Sequence, residues 1–422
     1  MASFRVNNLA ISIEKDGASN FNKASYPIRF GKYNEIRTND YEFQFNLKGE
    51  IKFIRGLSGT WPHPSEWIKR TDGNDWVYYS VSGFKGIFKW LGEYYLPCFP
   101  YISNSIWTFN PYSDTNVMIA FAAWSQLYGS LRELKDDGMP SQVKELIRIV
   151  SDNDDNTLFE KAKAFHSIIG GQVSVLPPDT RHVDYEVIPL MIADGCLYHC
   201  KFCFVKSNQK YQPRSRENIY SQIQKLKTFY GGNLGNYNAL FLGNHDALGA
   251  GDELIRMAVS EAIEAFGFEN ANVENPMLFI FGSVDSLLKA GNEFMEELNN
   301  SPFYTYINIG FESVDAKTLK NIGKPVEVLK IQDAFQKMLE INRDYSSIEV
   351  TGNFLLGENL LPRHNESLIS LLENVPEACR KKGVIYLSPL VESQKKPDLL
   401  ETFFEIKNRS KLPVYIYLIQ RL

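Results

Sequence analysis

From Val187 to the end of the chain, apolar strand-like runs alternate strictly with amphipathic helical stretches. No other feature narrows the fold as far, because such alternation calls for parallel strands joined by right-handed crossovers. Strand candidates lie at 187–193, 237–243, 276–282, 304–311, 347–356 and 384–390. Helical periodicity fills the gaps at 215–230, 251–267, 285–299, 325–341 and 365–381. A further helix, 397–408, leads into a last apolar strand in PVYIYLIQ. Six units are fewer than the eight of a closed barrel, so the expected class is α/β, an open partial (β/α)6 barrel. In such folds the side chains that do chemistry gather at the carboxyl ends of the strands.

The upstream text is of another kind. All six tryptophans (Trp61, Trp67, Trp76, Trp90, Trp107 and Trp124) precede the alternating region. From Tyr41 the run YEFQFNLKGEIKFIRG alternates around Lys48-Gly49, a hairpin signal. Helical periodicity follows at 115–134, 141–152 and 157–168. Adjacent prolines, Pro177 and Pro178, mark the stretch 170–186 as a connection. The expected organisation is an aromatic-rich α+β accessory domain (1–172), a linker (173–186) and a barrel domain (187–422). Two domains suit a length of 422 residues. The rigid loops Trp61-Pro62-His63-Pro64 and Leu96-Pro97-Cys98-Phe99-Pro100-Tyr101 suit a cover over the barrel mouth.

A formal charge of −5 lacks the basic excess of a nucleic-acid binder, so none is expected as partner. The start MASFRVNNLA lacks the build of a signal peptide, and the run Val117–Trp124 is far short of the roughly 18 apolar residues of a membrane span. A cytoplasmic protein without a membrane partner is the expectation.

Five cysteines exclude a complete disulfide framework, and three of them crowd together as Cys196, Cys200 and Cys203. The others, Cys98 and Cys379, stand alone and read as buried thiols. Three thiolates so close suit one soft metal centre. Zinc is one reading, with His199 as a fourth ligand, although paired C-x-x-C knuckles are missing. An iron–sulfur cluster is the other, and three thiolates would leave one iron of a [4Fe–4S] cluster open.

The text Cys196-Leu197-Tyr198-His199-Cys200-Lys201-Phe202-Cys203 follows the first barrel strand. It resembles the radical S-adenosylmethionine (radical SAM) superfamily, whose signature is C-x3-C-x2-C with an aromatic residue before the last cysteine, here Phe202. The resemblance spans 187–422. It implies that Cys196, Cys200 and Cys203 hold a [4Fe–4S] cluster whose open iron chelates S-adenosylmethionine. Reduction then yields a 5′-deoxyadenosyl radical that abstracts hydrogen from an organic substrate. Gly243 and Asn244 fall where relatives carry a glycine-rich turn for the cofactor's amino group, with Asn244 replacing a second glycine. Asp285 falls at a position often acidic in relatives. Asn308-Ile309-Gly310-Phe311-Glu312-Ser313 is close to the G-x-E-S text of the subgroup that includes oxygen-independent coproporphyrinogen dehydrogenase and the elongator catalytic subunit. That likeness implicates Glu312 and Ser313. Lys324 matches a basic residue that pairs with the cofactor carboxylate, with Pro325 as first residue of a helix behind it. Asn353 stands where relatives bind ribose, and 387–390 would border the adenine.

Other signals are weaker. Gly243-Asn244-His245-Asp246 reads like a metallophosphoesterase fragment, but that site's other motifs are missing. His245 reads as a hydrogen-bonded structural histidine or, in the alternative, as a residue that faces the substrate. The stretch Lys201, Lys206, Lys210, Arg214 and Arg216 is either a solvated loop or a docking surface for an acidic electron donor such as flavodoxin or ferredoxin. The missing cysteines and D-x-H-x-x-G text argue against a second cluster and a cobalamin domain. The expected function is that of an enzyme, oxidoreductase, lyase or mutase in type. Its rivals are a zinc-stabilised binding module and a degenerate barrel that binds the cofactors without turnover.

Overall fold

The computed structural model describes residues 2–21, 29–59, 61–62, 64–81, 95–98, 111–134, 138–203, 209–357, 360–390, 396–417 and 421–422, with backbone alone at 80–81, 95–98 and 396–398. Trp90 and Trp107, Lys206 and much of the expected covering loop 96–101 lie outside the described residues.

Strands β1 (Ala2–Val6), β2 (Leu9–Asp16), β3 (Lys32–Arg37), β4 (Tyr41–Phe45), β5 (Ile51–Gly56), β6 (Trp67–Arg70), β7 (Trp76–Val81) and β8 (Tyr95–Cys98) form an antiparallel meander in chain order. The β4–β5 hairpin turns where Lys48-Gly49 indicates. Cross-strand register lines up Ile11, Ile36, Phe43, Ile54, Ile68 and Tyr78 in one row. All are buried. The helix Thr115–Glu133 lies over this row, with Trp124 centred 6.2 Å from Phe43 and 5.6 Å from Phe45. Trp61 and Trp67 are also core residues.

Alternating strands usually leave their polar face in water. Here Glu35, Glu42 and Gln44 on that face are at most 3% exposed. Arg37 and Arg55 converge on Glu42 at 2.5 and 2.9 Å, which compensates the burial of its charge. Further along, Lys69 meets Glu186 at 2.8 Å and Lys52 meets Asp72 at 2.7 Å. Asp72 also accepts from Tyr237 at 2.9 Å and Tyr230 at 3.3 Å. The antiparallel sheet is thus joined to the second half of the chain by buried charges.

The second half holds β9 (Ile188–Met191), a two-residue pair β10 (Ala193–Asp194) and β11 (Gln212–Pro213), then β12 (Ala239–Gly243), β13 (Met277–Gly282), β14 (Tyr304–Glu312), β15 (Ile348–Leu356), β16 (Ile385–Pro389) and β17 (Val414–Ile416). β9 and β12 to β17 make one parallel sheet whose neighbours follow chain order. This is the singly wound order of a β/α barrel, open between β9 and β17. Helices Arg216–Tyr230, Asp252–Phe266, Val328–Asp344, Pro362–Glu373 and Lys396–Arg409 fill the crossovers.

Three helices differ from the sequence expectation. The stretch 285–299 is two helices, Val284–Lys289 and Asn292–Asn300, because Lys337 Nζ takes the carbonyls of Leu288 and Ala290 at 3.2 and 2.7 Å and the chain restarts at Gly291. Pro325 is not a first helical residue: the helix begins at Val328, and a separate short helix, Ala316–Ile322, precedes Lys324. The helix expected to 381 stops at Glu373, before Pro376.

Residues 173–186 are packed rather than loose. Leu176, Asp179, Thr180 and Val183 have no exposed surface, and Pro178–Val183 forms a 3-10 turn. Among the described residues no helix is long and apolar enough to cross a membrane.

Candidate functional site

The cysteine loop begins at the carboxyl end of β9. Its base is pinched shut by the β10–β11 pair and by a bridge from Cys196 to Lys210. Gly195 makes that pinch possible: its φ is +76°, and a Cβ there would stand 2.4 Å from the carbonyl oxygen of Lys210. Arg214 braces the base, with two bonds to Asp194 at 2.6 and 2.8 Å and one to the carbonyl of Ile169. The middle of the loop is pinned where Lys201 N donates to Ile322 O at 2.8 Å.

The three thiols open into one cavity of about 200 Å³ at the carboxyl ends of the parallel strands. Cys200 is buried and its neighbours are half-buried. Burial pushes the Cys200 thiol up to about 12, with Lys324 pulling the other way, so a metal centre must displace its proton. Among the described residues no three His, Cys, Asp or Glu side chains stand close enough to hold a single ion. His199 is outside the cavity wall among those residues.

A buried cation lines the same cavity as the cysteines. Lys324 is 5% exposed; its Nζ donates to Gly310 O at 2.8 Å and stands 3.6 Å from Glu312 and 4.6 Å from the centre of the Tyr198 ring. Glu312 closes β14 with φ +69° at a register shift. Gly310 admits this arrangement, since a Cβ there would lie 2.6 Å from Glu312 Oε1. Burial raises the Glu312 carboxyl and Lys324 opposes the rise. An ammonium has three donors and this one spends a single short bond, so it keeps capacity for a carboxylate in the cavity.

Of the sequence-derived residues, Cys196, Cys200, Phe202, Cys203, Glu312, Lys324 and Asn353 line this one cavity. Gly243, Asn244, Asp285 and Ser313 do not, among the described residues. Gly243 ends β12 against Met191. Asn244 follows it with a buried Oδ1 that lacks a hydrogen-bond partner. Asp285 works from behind: it accepts from the Tyr198 hydroxyl and from Lys330 and so fixes a wall residue. Ser313 is fully buried, 2.8 Å from His364 Nδ1, and accepts from Asp315 N.

Sequence reasoning missed Tyr198, Asp246, Ser283 and Tyr417 on the wall. His245 lines the cavity, as the second of its two sequence readings has it; it has no hydrogen bond among the described residues, and burial lowers its pKa toward the neutral ring. Asp246 accepts from Ser283 N, Ser286 Oγ and Gly249 N through Oδ1 while Oδ2 is buried without a partner. Among the described residues the cavity wall begins at Val175, and much of the expected tryptophan-loop cover lies outside the described residues.

The family model of the radical SAM superfamily matches residues 190–371. This part of the chain is a radical SAM domain. No curated protein matches the chain in sequence. Among solved structures, a radical SAM methyltransferase from Kitasatospora setae with tryptophan bound is 13% identical over 48% of this chain and 35% of its own, TM-score 0.33. A radical SAM methyltransferase from Sphaerobacter thermophilus is 13% identical over 55% and 65%, TM-score 0.36. The Elp3 protein of the archaeon Methanocaldococcus infernus is 14% identical over 56% of each, TM-score 0.32. The chain thus spans about a third of the first of these, and overlaps this loose leave the chemistry to the residues. The family implies S-adenosylmethionine and an iron–sulfur cluster, and the cavity's groups fit both: three thiols, a buried ammonium with spare donors, and an orphaned carboxylate oxygen at Asp246.

Proposed function

We propose that the protein is a radical SAM enzyme in which Cys196, Cys200 and Cys203 hold a [4Fe–4S] cluster and the adjoining cavity binds S-adenosylmethionine. The observation that carries this reading is the convergence of three thiols and one buried, under-used ammonium on a single cavity. When bound and reduced, such a cluster supplies the electron that splits the sulfonium into methionine and a 5′-deoxyadenosyl radical for hydrogen abstraction. Everything else falls to the chain. Lys324 takes the cofactor carboxylate, and the Tyr198 ring and the Gly310 carbonyl keep its ammonium aimed. Asn353 meets the ribose. Phe281, Leu355, Pro389 and Leu390 give the cavity apolar walls that exclude water from a reactive centre.

A single zinc ion would need its thiolates gathered at one point. The sequence has no paired C-x-x-C knuckles to complete such a site, and three cysteines alone suit an iron–sulfur cluster with one iron left open. The substrate in this reading is an organic molecule that enters beside His245 and Tyr417. An acidic electron donor, flavodoxin or ferredoxin, is the proposed partner. Its docking surface is narrower than the basic stretch suggests, because Arg214 is bound to Asp194 and Arg216 to Glu253. Lys201 and Lys210 remain exposed beside the cluster loop.

The test is anaerobic reconstitution, assay of iron and inorganic sulfide, and detection of 5′-deoxyadenosine and methionine after dithionite is added. Equal iron and sulfide with both products supports the reading. Zinc without sulfide, or a cluster without either product, overturns it.

A further inference from the structure

Ahead of the parallel sheet, the turn Pro178–Val183 places Asp179 among the strands with no exposed surface. One carboxylate oxygen accepts from Tyr386 of β16 at 2.5 Å, and the other accepts from Thr351 Oγ1 of β15 at 2.9 Å. Thr351, having donated its proton, accepts from Asn308 Nδ2 of β14 at 2.8 Å. With that nitrogen turned to Thr351, Asn308 presents Oδ1 to Asn353, whose Nδ2 donates at 2.5 Å. A longer contact of 3.4 Å runs from Asn308 Nδ2 back to Asn353 Oδ1. Asp179, Thr351 and Asn308 are wholly buried; Asn353, 9% exposed, is on the cavity wall.

An amide turned over exchanges donor for acceptor at almost no cost in shape, so its hydrogen-bond network decides which way it sits. A hydroxyl adapts to either role. In this series only the carboxylate has a fixed role, as acceptor, and each later group is oriented by the one before. We propose that Asp179 is a positioning residue. Through Thr351 and Asn308 it fixes which atoms of the Asn353 amide face the cavity, and so sets the preference for a ribose that carries its hydroxyls. The inference rests on the reading of the cavity as a site for S-adenosylmethionine.

The experiment uses the full chain with its cluster reconstituted without air. Equilibrium binding of S-adenosylmethionine is compared with that of its 2′,3′-dideoxyribose analogue. The unmodified protein is expected to prefer the hydroxylated ligand by about tenfold, the scale of a buried hydrogen bond. Thr351→Val, which keeps the shape and removes the link, is expected to bring the ratio close to that of Asn353→Ala. Thr351→Ser retains a hydroxyl and should restore it. Tyr386→Phe removes the other bond to the same carboxylate and should leave the ratio unchanged. Should Thr351→Val fail to fold, Asp179→Asn must lower the ratio instead. A ratio unaltered in Thr351→Val or Asp179→Asn but lost in Asn353→Ala overturns the relay. No preference in the unmodified protein also overturns it, and no binding of S-adenosylmethionine at all overturns the reading of the site beneath it.

Discussion

At the scale of residues, Lys324 has the most exposed role in the proposed chemistry. Its Nζ is held by one carbonyl and stacked against one ring, with Glu312 at 3.6 Å. Lys324→Met keeps much of the bulk and removes the charge, so it is expected to raise KM for S-adenosylmethionine at least tenfold while cluster content is unchanged. Iron and sulfide assays beside steady-state formation of 5′-deoxyadenosine check this. Cys200→Ala removes a thiol from the same cavity and is expected to abolish both the cluster absorbance and the product. The cysteines, Glu312 and Lys324 were legible because each stands at a fixed spacing or at a strand end. Tyr198 and Tyr417 were not, since a lone ring reads the same whether it faces a core or a cavity. Asp285 shows a third case: a residue at the expected position that reaches the site only through the hydroxyl of Tyr198.

At the scale of elements, Glu50 in the β4–β5 turn shows how a hairpin is tied to a helix. It takes Lys161 of the helix Asp155–Ile169 at 2.7 Å, Lys48 at 3.3 Å and the amide of Asn46 at 2.8 Å. Burial would raise its carboxyl, but Lys48 and Lys161 outweigh that and hold it at about 2. Its folded pKa is below the unfolded value, so the stabilisation is complete above about pH 4.5 and is lost as pH falls toward about 2. Glu50→Gln is expected to lose on the order of 3 kcal/mol of stability at neutral pH. The variant should also lack that acid-dependent loss, which urea denaturation across the range will measure. The hairpin itself was legible from its alternation; its buried polar face was not. Charges such as Glu42 and Lys69 go inside only because Arg37 and Arg55 on the flanking strands, and Glu186 far along the chain, meet them. The split of the helix 285–299 has the same origin, in a lysine more than thirty residues away.

At the scale of the whole molecule, the parallel order of the strands followed from the alternation of the text, because crossover connections leave few other arrangements. The way the two sheets are joined did not. Residues 173–186 carry prolines, which read as a connection, yet they supply Asp179, Asp184 and Glu186 to buried networks. Asp72 is a second junction, with Lys52, Tyr230 and Tyr237 around it. Asp72→Ala leaves the Lys52 ammonium buried with less compensation, and a loss of about 3–5 kcal/mol is expected. Calorimetry will read it as a lower midpoint. With buried bonds of this kind crossing between the sheets, the unmodified protein is expected to melt in one transition rather than two.

Arg214 gives this union a practical side. The same guanidinium grips Asp194 below the cysteines and the carbonyl that ends an upstream helix. A protein trimmed to its second half would lose one of those handholds, and the collar from which the sulfur ligands hang would slacken. Such a truncated form should bleach in air sooner than the intact chain.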